Sequence, residues 1–419
     1  MDLGQVAEIT SGATPRRDNP HYWGGDIPWL TPTDLPAVGA GVTDVAATAD
    51  KITEEGLASC SASLLPPGTV LFSSRASIGK VGIAAVPLTT NQGFANLLPR
   101  PGVESRYLAW CVHFHADRIA GLAGSTTFKE VSKSALKRFR IPLPAPTEQR
   151  RIVEILDRAD RLRRLRAEAD AKAQRILPAL YRNLFLDRAS DWPREALGTR
   201  LRKSKGALQS GPFGSHLHNS DFVESGPVRV VGIDNVFDGE FSQGRDRRIT
   251  AEKYQELKKY TLEPGDILLT IMGTVGRSCV FPQLPETAIC TKHVYRIQVD
   301  ERLDPEYASA AIRCDPSVTG QLGASITGQI VAGITSDDIR HLTLLIPPKD
   351  LQDRFAAHVR ATAQRRIERR RASAQLDRLF QTLLRDAFSG RLTASWRHAH
   401  TSELLQEMEH QAKALAEAR

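Results

Sequence analysis

The chain has 419 residues, 41% hydrophobic and 25% charged, a length and mixture that suit two or three globular domains and exclude a small disulfide-stapled scaffold. Its formal net charge of +8 favours a polyanionic partner without naming one, and no apolar run is long enough to cross a bilayer. The first twenty residues lack a secretory pattern and the five cysteines never fall in a Cys-x-x-Cys pair, so a reducing cytoplasm is expected and a zinc site is not.

Residues 1–146 come first in the chain. They are rich in Gly and Pro and carry short β-branched runs such as Val70-Leu71-Phe72 after a Pro-Gly turn, which predicts short strands joined by long loops. A change of pattern follows over residues 147–187. There Ile152, Ile155, Ala159, Leu162, Leu165, Ala169, Ala173, Ile176, Leu180 and Leu184 step mostly by three or four, which predicts a long amphipathic helix with an N-terminal cap at Pro146-Thr147 and a kink or early end at Pro178.

Residues 188–349 repeat the first pattern. Leu65-Pro66-Pro67-Gly68-Thr69-Val70-Leu71-Phe72 is echoed by Leu262-Glu263-Pro264-Gly265-Asp266-Ile267-Leu268-Leu269, and Ala76 to Lys80 aligns with Gly273 to Arg277 without a gap. Pro144-x4-Gln149 returns as Pro347-x4-Gln352. Residues 350–390 then supply a second helix through Phe355, Val359, Ile367, Leu376, Leu379, Leu383 and Ala387, interrupted by charge at Arg365–Arg371 and entered at Asp350 as its cap. The chain is thus two diverged copies of one unit, of α+β class: two pseudo-repeated domains of short strands and loops, separated by two long helices. Their apolar stripes favour burial against each other as an antiparallel coiled coil over packing each on its own domain.

The ordered motifs resemble the specificity subunits of type I restriction-modification enzymes, the HsdS family. The resemblance rests on Ser11-Gly12-Ala13-Thr14-Pro15, Ile27-Pro28-Trp29-Leu30, Ser77-Ile78-Gly79-Lys80, Asn91-Gln92-Gly93-Phe94 and Ile141 to Gln149 in the first copy. In the second it rests on Ser210-Gly211-Pro212-Phe213-Gly214-Ser215 and Ala387-Phe388-Ser389-Gly390-Arg391-Leu392. It implies two target-recognition domains that read double-stranded DNA, and helices that dock two copies of a methyltransferase subunit, with restriction subunits as further partners. Trp192 and Trp396 hold matching places after the two helices, so the tail 391–419 is expected to return to the first domain and complete it.

Base readout needs polar side chains on loops. The candidates are Thr33, Arg75, Lys80, Asn91, Gln92, Thr126, Thr127 and Lys129 in the first copy, and Asn235, Arg277, Lys292, His293, Thr327 and Gln329 in the second. Phosphate contact is the commoner role for any one of them, and a plain solvated turn is the alternative. The Arg clusters at Arg161–Arg166 and Arg365–Arg371 read as solvated faces or docks for acidic partners before they read as phosphate trackers. A first helix of this length spans roughly 55 to 60 Å, beyond one turn of duplex, so the expected target is divided, and the unlike loops of the two copies make it asymmetric.

No catalytic centre or cofactor is expected. The stretch Ser74–Val81 fails as a phosphate loop because its first Gly is a Ser and its last Ser or Thr is a Val, and no methyltransferase tetrapeptide, dinucleotide fingerprint or acidic nuclease cluster is found. His113-x-His115, His216-x-His218 and His398-x-His400 read as surface histidines before metal ligands. The rival readings are a coiled-coil adaptor, which leaves the elaborate loops unexplained, and a stand-alone DNA-modifying enzyme.

Overall fold

The computed structural model describes residues 1–124, 129–214, 216–326 and 333–418. In chain order, strands β1 (Ala7–Ser11), β2 (Val42–Val45), β3 (Val70–Ser73), β4 (Val81–Ala84) and β5 (Phe94–Pro99) precede helices α1 (Ser105–Phe114), α2 (Pro146–Gln174) and α3 (Ile176–Tyr181). Strands β6 (Leu208–Ser210), β7 (Ile267–Thr270), β8 (Ser278–Val280) and β9 (Val294–Ile297) follow, then helices α4 (Pro305–Cys314), α5 (Lys349–Phe388) and α6 (Thr401–Glu417). The protein is α+β. It divides into two compact units, Met1–Ala167 with Ser373–Arg419, and Glu168–Ala372.

Unit 1 is built on a five-stranded sheet of order β1-β5-β3-β4-β2, antiparallel except where β2 runs parallel to β4. The central strands β3 and β4 are buried at every residue, which is why both read as continuous apolar runs without alternation. Unit 2 carries a sheet of order β6-β9-β7-β8 with matching pairs: Val70 faces Leu97 and Ile83, and Ile267 faces Ile297 and Val280. The Pro-Gly turns that lead into β3 and β7 are the same turn. Thr69 N–H bonds Pro66 O at 3.3 Å and Asp266 N–H bonds Glu263 O at 3.0 Å, with Gly68 and Gly265 at φ +87° and +94°, the left-handed third position of a type II turn.

Each unit closes its core with aromatics from a helix that ends there. In unit 2, Tyr307 of α4 meets Phe185 at 4.8 Å, just after α3, and gives its hydroxyl to Leu345 O. In unit 1, Tyr107 of α1 meets Phe388 at 5.7 Å, at the end of α5, and gives its hydroxyl to Pro142 O. The segment after Phe388 stays on unit 1. Thr393 Oγ1 donates to the buried Glu148 carboxylate at 2.6 Å, Glu407 of α6 accepts the Thr147 N–H at 2.9 Å, and Gln411 donates to Gly102 O at 2.7 Å.

The first long helix is broken. α2 stops at Gln174, α3 runs Ile176–Tyr181, and a π turn follows over Arg182–Leu186. The break sits one turn before Pro178 because proline has no N–H to return to the Gln174 carbonyl. α5 is continuous over 40 residues, starts at Lys349 and passes through the Arg365–Arg371 run, since arginine is a good helix former.

Within unit 1, α2 and α5 run antiparallel: Arg163 Nε reaches Asp377 at 2.9 Å, while Arg166 Nε reaches Ser373 Oγ at 3.3 Å. The side chains half-buried here are Arg163 and Arg166; the expected seam residues Leu162 and Leu165 are 51% and 52% exposed. The apolar stripe thus corrects to a polar middle seam, with leucines on an outer face.

His113 and His115 also correct the surface reading. Both are buried, and burial first, with Arg163 and Arg118 adding, holds each down to about 4. A histidine whose folded value lies below its unfolded one contributes its stability above about pH 6.5 and loses it as pH falls toward 4. Unfolding midpoints of unit 1 should therefore drop across that window, and the drop should flatten in a His113→Asn, His115→Asn double variant.

The joint between each domain and its helix is a buried glutamine. Gln149 donates to Gly102 O and Pro144 O at 3.1 and 2.8 Å and accepts from Glu104 N at 2.8 Å; Gln352 donates to Arg302 O and Pro347 O at 3.2 and 2.8 Å and accepts from Asp304 N at 2.9 Å. Gln149→Ala should cost about 2 kcal/mol in denaturant unfolding, because it strands the Glu104 N–H, while Gly102 O and Pro144 O keep Gln411 as a donor.

Candidate nucleic-acid interface

In unit 1 the loops expected to carry recognition residues interlock beyond one end of the β3-β5 pair. Ser74 N–H bonds Gly93 O at 2.8 Å, Val131 N–H bonds Ser74 O at 2.9 Å, Asn91 N–H bonds Leu30 O at 3.0 Å and Ala13 N–H bonds Thr90 O at 2.9 Å. Five loops, around residues 13, 31, 75, 91 and 130, are thereby fixed side by side. The Ser-Gly motif explains the closest approach: a Cβ on Gly12 would lie 1.8 Å from Thr90 O, and one on Gly211 would lie 2.0 Å from Cys290 O. Ala76 takes φ +59° where its counterpart is Gly273 at +74°, so the tip of the 74–80 loop holds a strained turn.

The side chains on this scaffold sort into two groups. Thr33, Gln92 and Lys129 are exposed, and Arg75 is half-buried with its Nε 3.9 Å from Glu130. Gln92 Oε1 accepts from Thr14 Oγ1 at 2.5 Å, which orients its amide. Lys80 and Asn91 turn inward instead. Lys80 Nζ donates to Pro32 O and Leu35 O at 2.6 and 2.9 Å, tying two loops together, and Asn91 Oδ1 accepts the Gly93 N–H at 2.9 Å. Thr126 and Thr127 lie outside the described residues.

Unit 2 repeats the scaffold with other side chains. Thr291 N–H bonds Val231 O at 2.8 Å, the counterpart of Asn91 on Leu30, and Ile271 N–H bonds His293 O at 3.1 Å. Lys292 is exposed and His293 is half-buried; burial first and Lys292 second hold His293 below its usual value, so at neutral pH it offers one donor and one acceptor. Arg277 is half-buried with its guanidinium 5.5 Å above the Phe237 ring.

Asn235 corrects the expectation of a reading residue. It is 0% exposed, donates to Ser242 O and Gln243 O, and accepts from Gly232 N, so its whole amide serves to close its own loop. Thr327 and Gln329 lie outside the described residues.

Two surface features escape the sequence pattern. Arg17 stacks on Trp23 and Trp29 at 4.1 and 4.9 Å, and Phe213, in the loop that starts at Gly211, is 65% exposed. An arginine beside paired tryptophans, and an aromatic inside a Gly-flanked loop, were the available signals.

Residues 1–174 match the model of the type I restriction modification DNA specificity domain. Over those residues the chain is similar to that specificity family. It is 38% identical over 187 residues to the type I restriction enzyme MjaIX specificity subunit of Methanocaldococcus jannaschii, spanning 44% of this chain and 43% of that one. It is 32% identical over 167 residues to a type I restriction enzyme specificity subunit of Escherichia coli, spanning 38% of this chain and 40% of that one. Each alignment thus spans less than half the relative's length. The solved S subunit of a type I restriction-modification system from M. genitalium shares the fold, with a TM-score of 0.57 at 15% identity over 93% of this chain and 95% of that one.

On these loops, exposed and inward polar residues should separate experimentally. Lys292→Ala should leave folding stability within about 0.5 kcal/mol while lowering affinity for duplex DNA in a binding titration. Asn235→Ala should lower stability by about 2 kcal/mol in the same preparation.

Proposed function

We propose that this chain is the DNA-reading subunit of a type I restriction-modification complex, with the loop surface of each unit addressing one half of an asymmetric, divided target. The chain performs no chemistry itself and lends its selectivity to a partner's active site. The observation that carries this reading is a loop scaffold built twice on the same backbone bonds, Asn91 to Leu30 and Thr291 to Val231, beneath unlike side chains. Gln92 and Lys129 stand out on one; Lys292 and the mid-loop Phe213 stand out on the other. Unlike side chains on like scaffolds read unlike half-sites, whereas two identical units would demand a palindrome.

The partners in this reading are two methyltransferase subunits docked on the helices, with restriction subunits beyond them. Support comes from the long helices in unit 1, where Leu162, Leu165 and Leu379 are each about half exposed and free to meet another chain. The recognition domains are 1–146 and 188–349, the spacers 147–187 and 350–390, and the tail 391–419 completes the first domain, as its contacts with Thr147, Glu148 and Gly102 support. Among the described residues no helix is long and apolar enough to cross a membrane.

Methylation mapping in a host with and without this chain tests the reading. The expected result is one motif with two unlike specific parts around an unread gap; a palindrome or an uninterrupted motif would overturn it. Adding one helical turn to both α2 and α5 should lengthen the gap and leave the two specific parts unchanged.

A further inference from the structure

Unit 2 holds a cavity of about 850 Å³ whose wall includes Arg277, Arg313, Arg366, Arg370 and Phe237. The four guanidinium groups converge on one short hairpin, Val236–Phe237 paired with Glu240–Phe241. Arg277 and Arg370 lie 5.5 and 5.8 Å from the centre of the Phe237 ring. Arg366 donates to Gly239 O at 2.9 Å, and a Cβ built on Gly239 would meet Arg313 Nη2 at 2.8 Å. Arg366 and Arg370 stand one turn apart on α5, so both reach the same side of that hairpin.

Too little negative charge faces this cluster. The wall contributes only Asp238, which is exposed, and Glu240, which pairs with Arg370 at 3.0 Å. Arg277 and Arg313 form no ion pair among the described residues. Arg366 Nε and Thr274 Oγ1 are buried without a hydrogen-bond partner among those residues and leave two donors for another group, whereas the equally unpartnered Glu240 Oε2 can only accept. The charged form of Arg366 is disfavoured, first by burial and then by Arg313 and Arg370, against the support of Glu240 and Glu306.

Comparison of the two copies shows what is missing. Aligning Gln149 with Gln352 places Arg163 of unit 1 on Arg366 of unit 2. Arg163 is fully neutralised: it contacts Asp160 at 3.3 Å and Asp377 at 2.9 Å, and stacks on Phe380 at 4.3 Å. The counterpart of Asp160 is Ala363, and that of Asp377, counted back by the same repeat, is Gln174, which lines the cavity. His113, neutral by burial, stands where unit 2 has Arg313. Unit 2 has therefore kept the arginine, lost both of these carboxylates and added Arg313, with Glu240 and Glu306 as the acidic neighbours of Arg366.

The geometry points to a phosphate-binding site in this cavity, with Arg277, Arg313 and Arg366 as donors and Arg370 beside them. Forked guanidinium donors match the several oxygens of a phosphate, and the spacing around Gly239 lets more than one fork reach a single group. The phosphate belongs either to the backbone of bound duplex or to a free phosphorylated small molecule. The duplex source rests on the DNA-reading role proposed above, and is favoured by Arg277, which shares its loop with the backbone that holds His293.

The test uses the full-length chain in two assays. The salt dependence of binding to a duplex bearing the mapped motif is measured for the wild type and for the Arg277→Gln, Arg313→Gln double variant, and inorganic pyrophosphate is titrated calorimetrically into both without DNA. A second variant, Gln174→Asp, restores the carboxylate that unit 1 possesses and leaves every arginine in place. Backbone phosphate predicts a log-log salt slope shallower by about 1 in both variants. A free ligand predicts pyrophosphate binding by the wild type that falls at least tenfold in both variants, with the slope unchanged. If Gln174→Asp folds and shows neither change, the cavity is not a phosphate site, whatever the duplex result for the wild type. Conversely, a wild type that ignores its duplex but binds pyrophosphate in the cavity sinks the DNA-reading role and leaves this site standing.

Discussion

Two buried glutamines hold the heads to their helices, and the remaining geometry follows from that joint. Gln149 and Gln352 use both ends of the amide to bind one backbone N–H and two carbonyls from the loop before α1 or α4 and from the helix entry. Both are fully enclosed, so water cannot substitute for a lost bond. The proposed reading role requires a loop surface whose orientation on the helix is defined, and a planar side chain with three satisfied bonds defines it more tightly than apolar contact does. A tyrosine in each unit, Tyr107 or Tyr307, adds a second fixed point by bonding the chain just before the same helix entry.

Around this common joint the copies have diverged in charge. In unit 1, Arg106 of α1 bonds Asp157 of α2 at 2.8 Å and Asp44 at 2.7 Å, and Asp157 also accepts from the Trp110 indole. In unit 2, glutamate occupies the matching place on α4 and arginine the matching place on α5, as Glu306 and Arg360. The polarity is reversed while the architecture is retained, since only opposition of charge is needed across a head-helix contact. The same freedom lets one copy neutralise Arg163 and the other leave Arg366 in a positive cavity.

The helices follow a related logic. A seam of Arg163 and Arg166 against Asp377 and Ser373 is weaker than a leucine seam, yet charged partners specify register where apolar ones tolerate sliding. Leucines displaced to the outer face then become available to another chain. The broken α2 and unbroken α5 differ through Pro178 alone among the helix-breaking residues of their interiors, so a single missing donor sets where the first helix ends.

The repeat, the α+β class, the two long helices and the Pro-Gly turns were legible in the sequence because each depends on local periodicity or on a backbone conformation that only certain residues adopt. The matching Pro-x4-Gln spacings likewise exposed the joint, though not what the glutamines bind. Whether a polar loop residue faces water or closes its own loop was decided only by tertiary structure: Lys80 and Asn235 have the chemistry of readers but are consumed by carbonyls that lie close only after folding. The helix seam shows the same division, since Leu162 and Arg163 are neighbours in sequence and the packed partner selects which of them turns inward. Residue type states what a side chain can do, and the surrounding chain determines what is left for it to do.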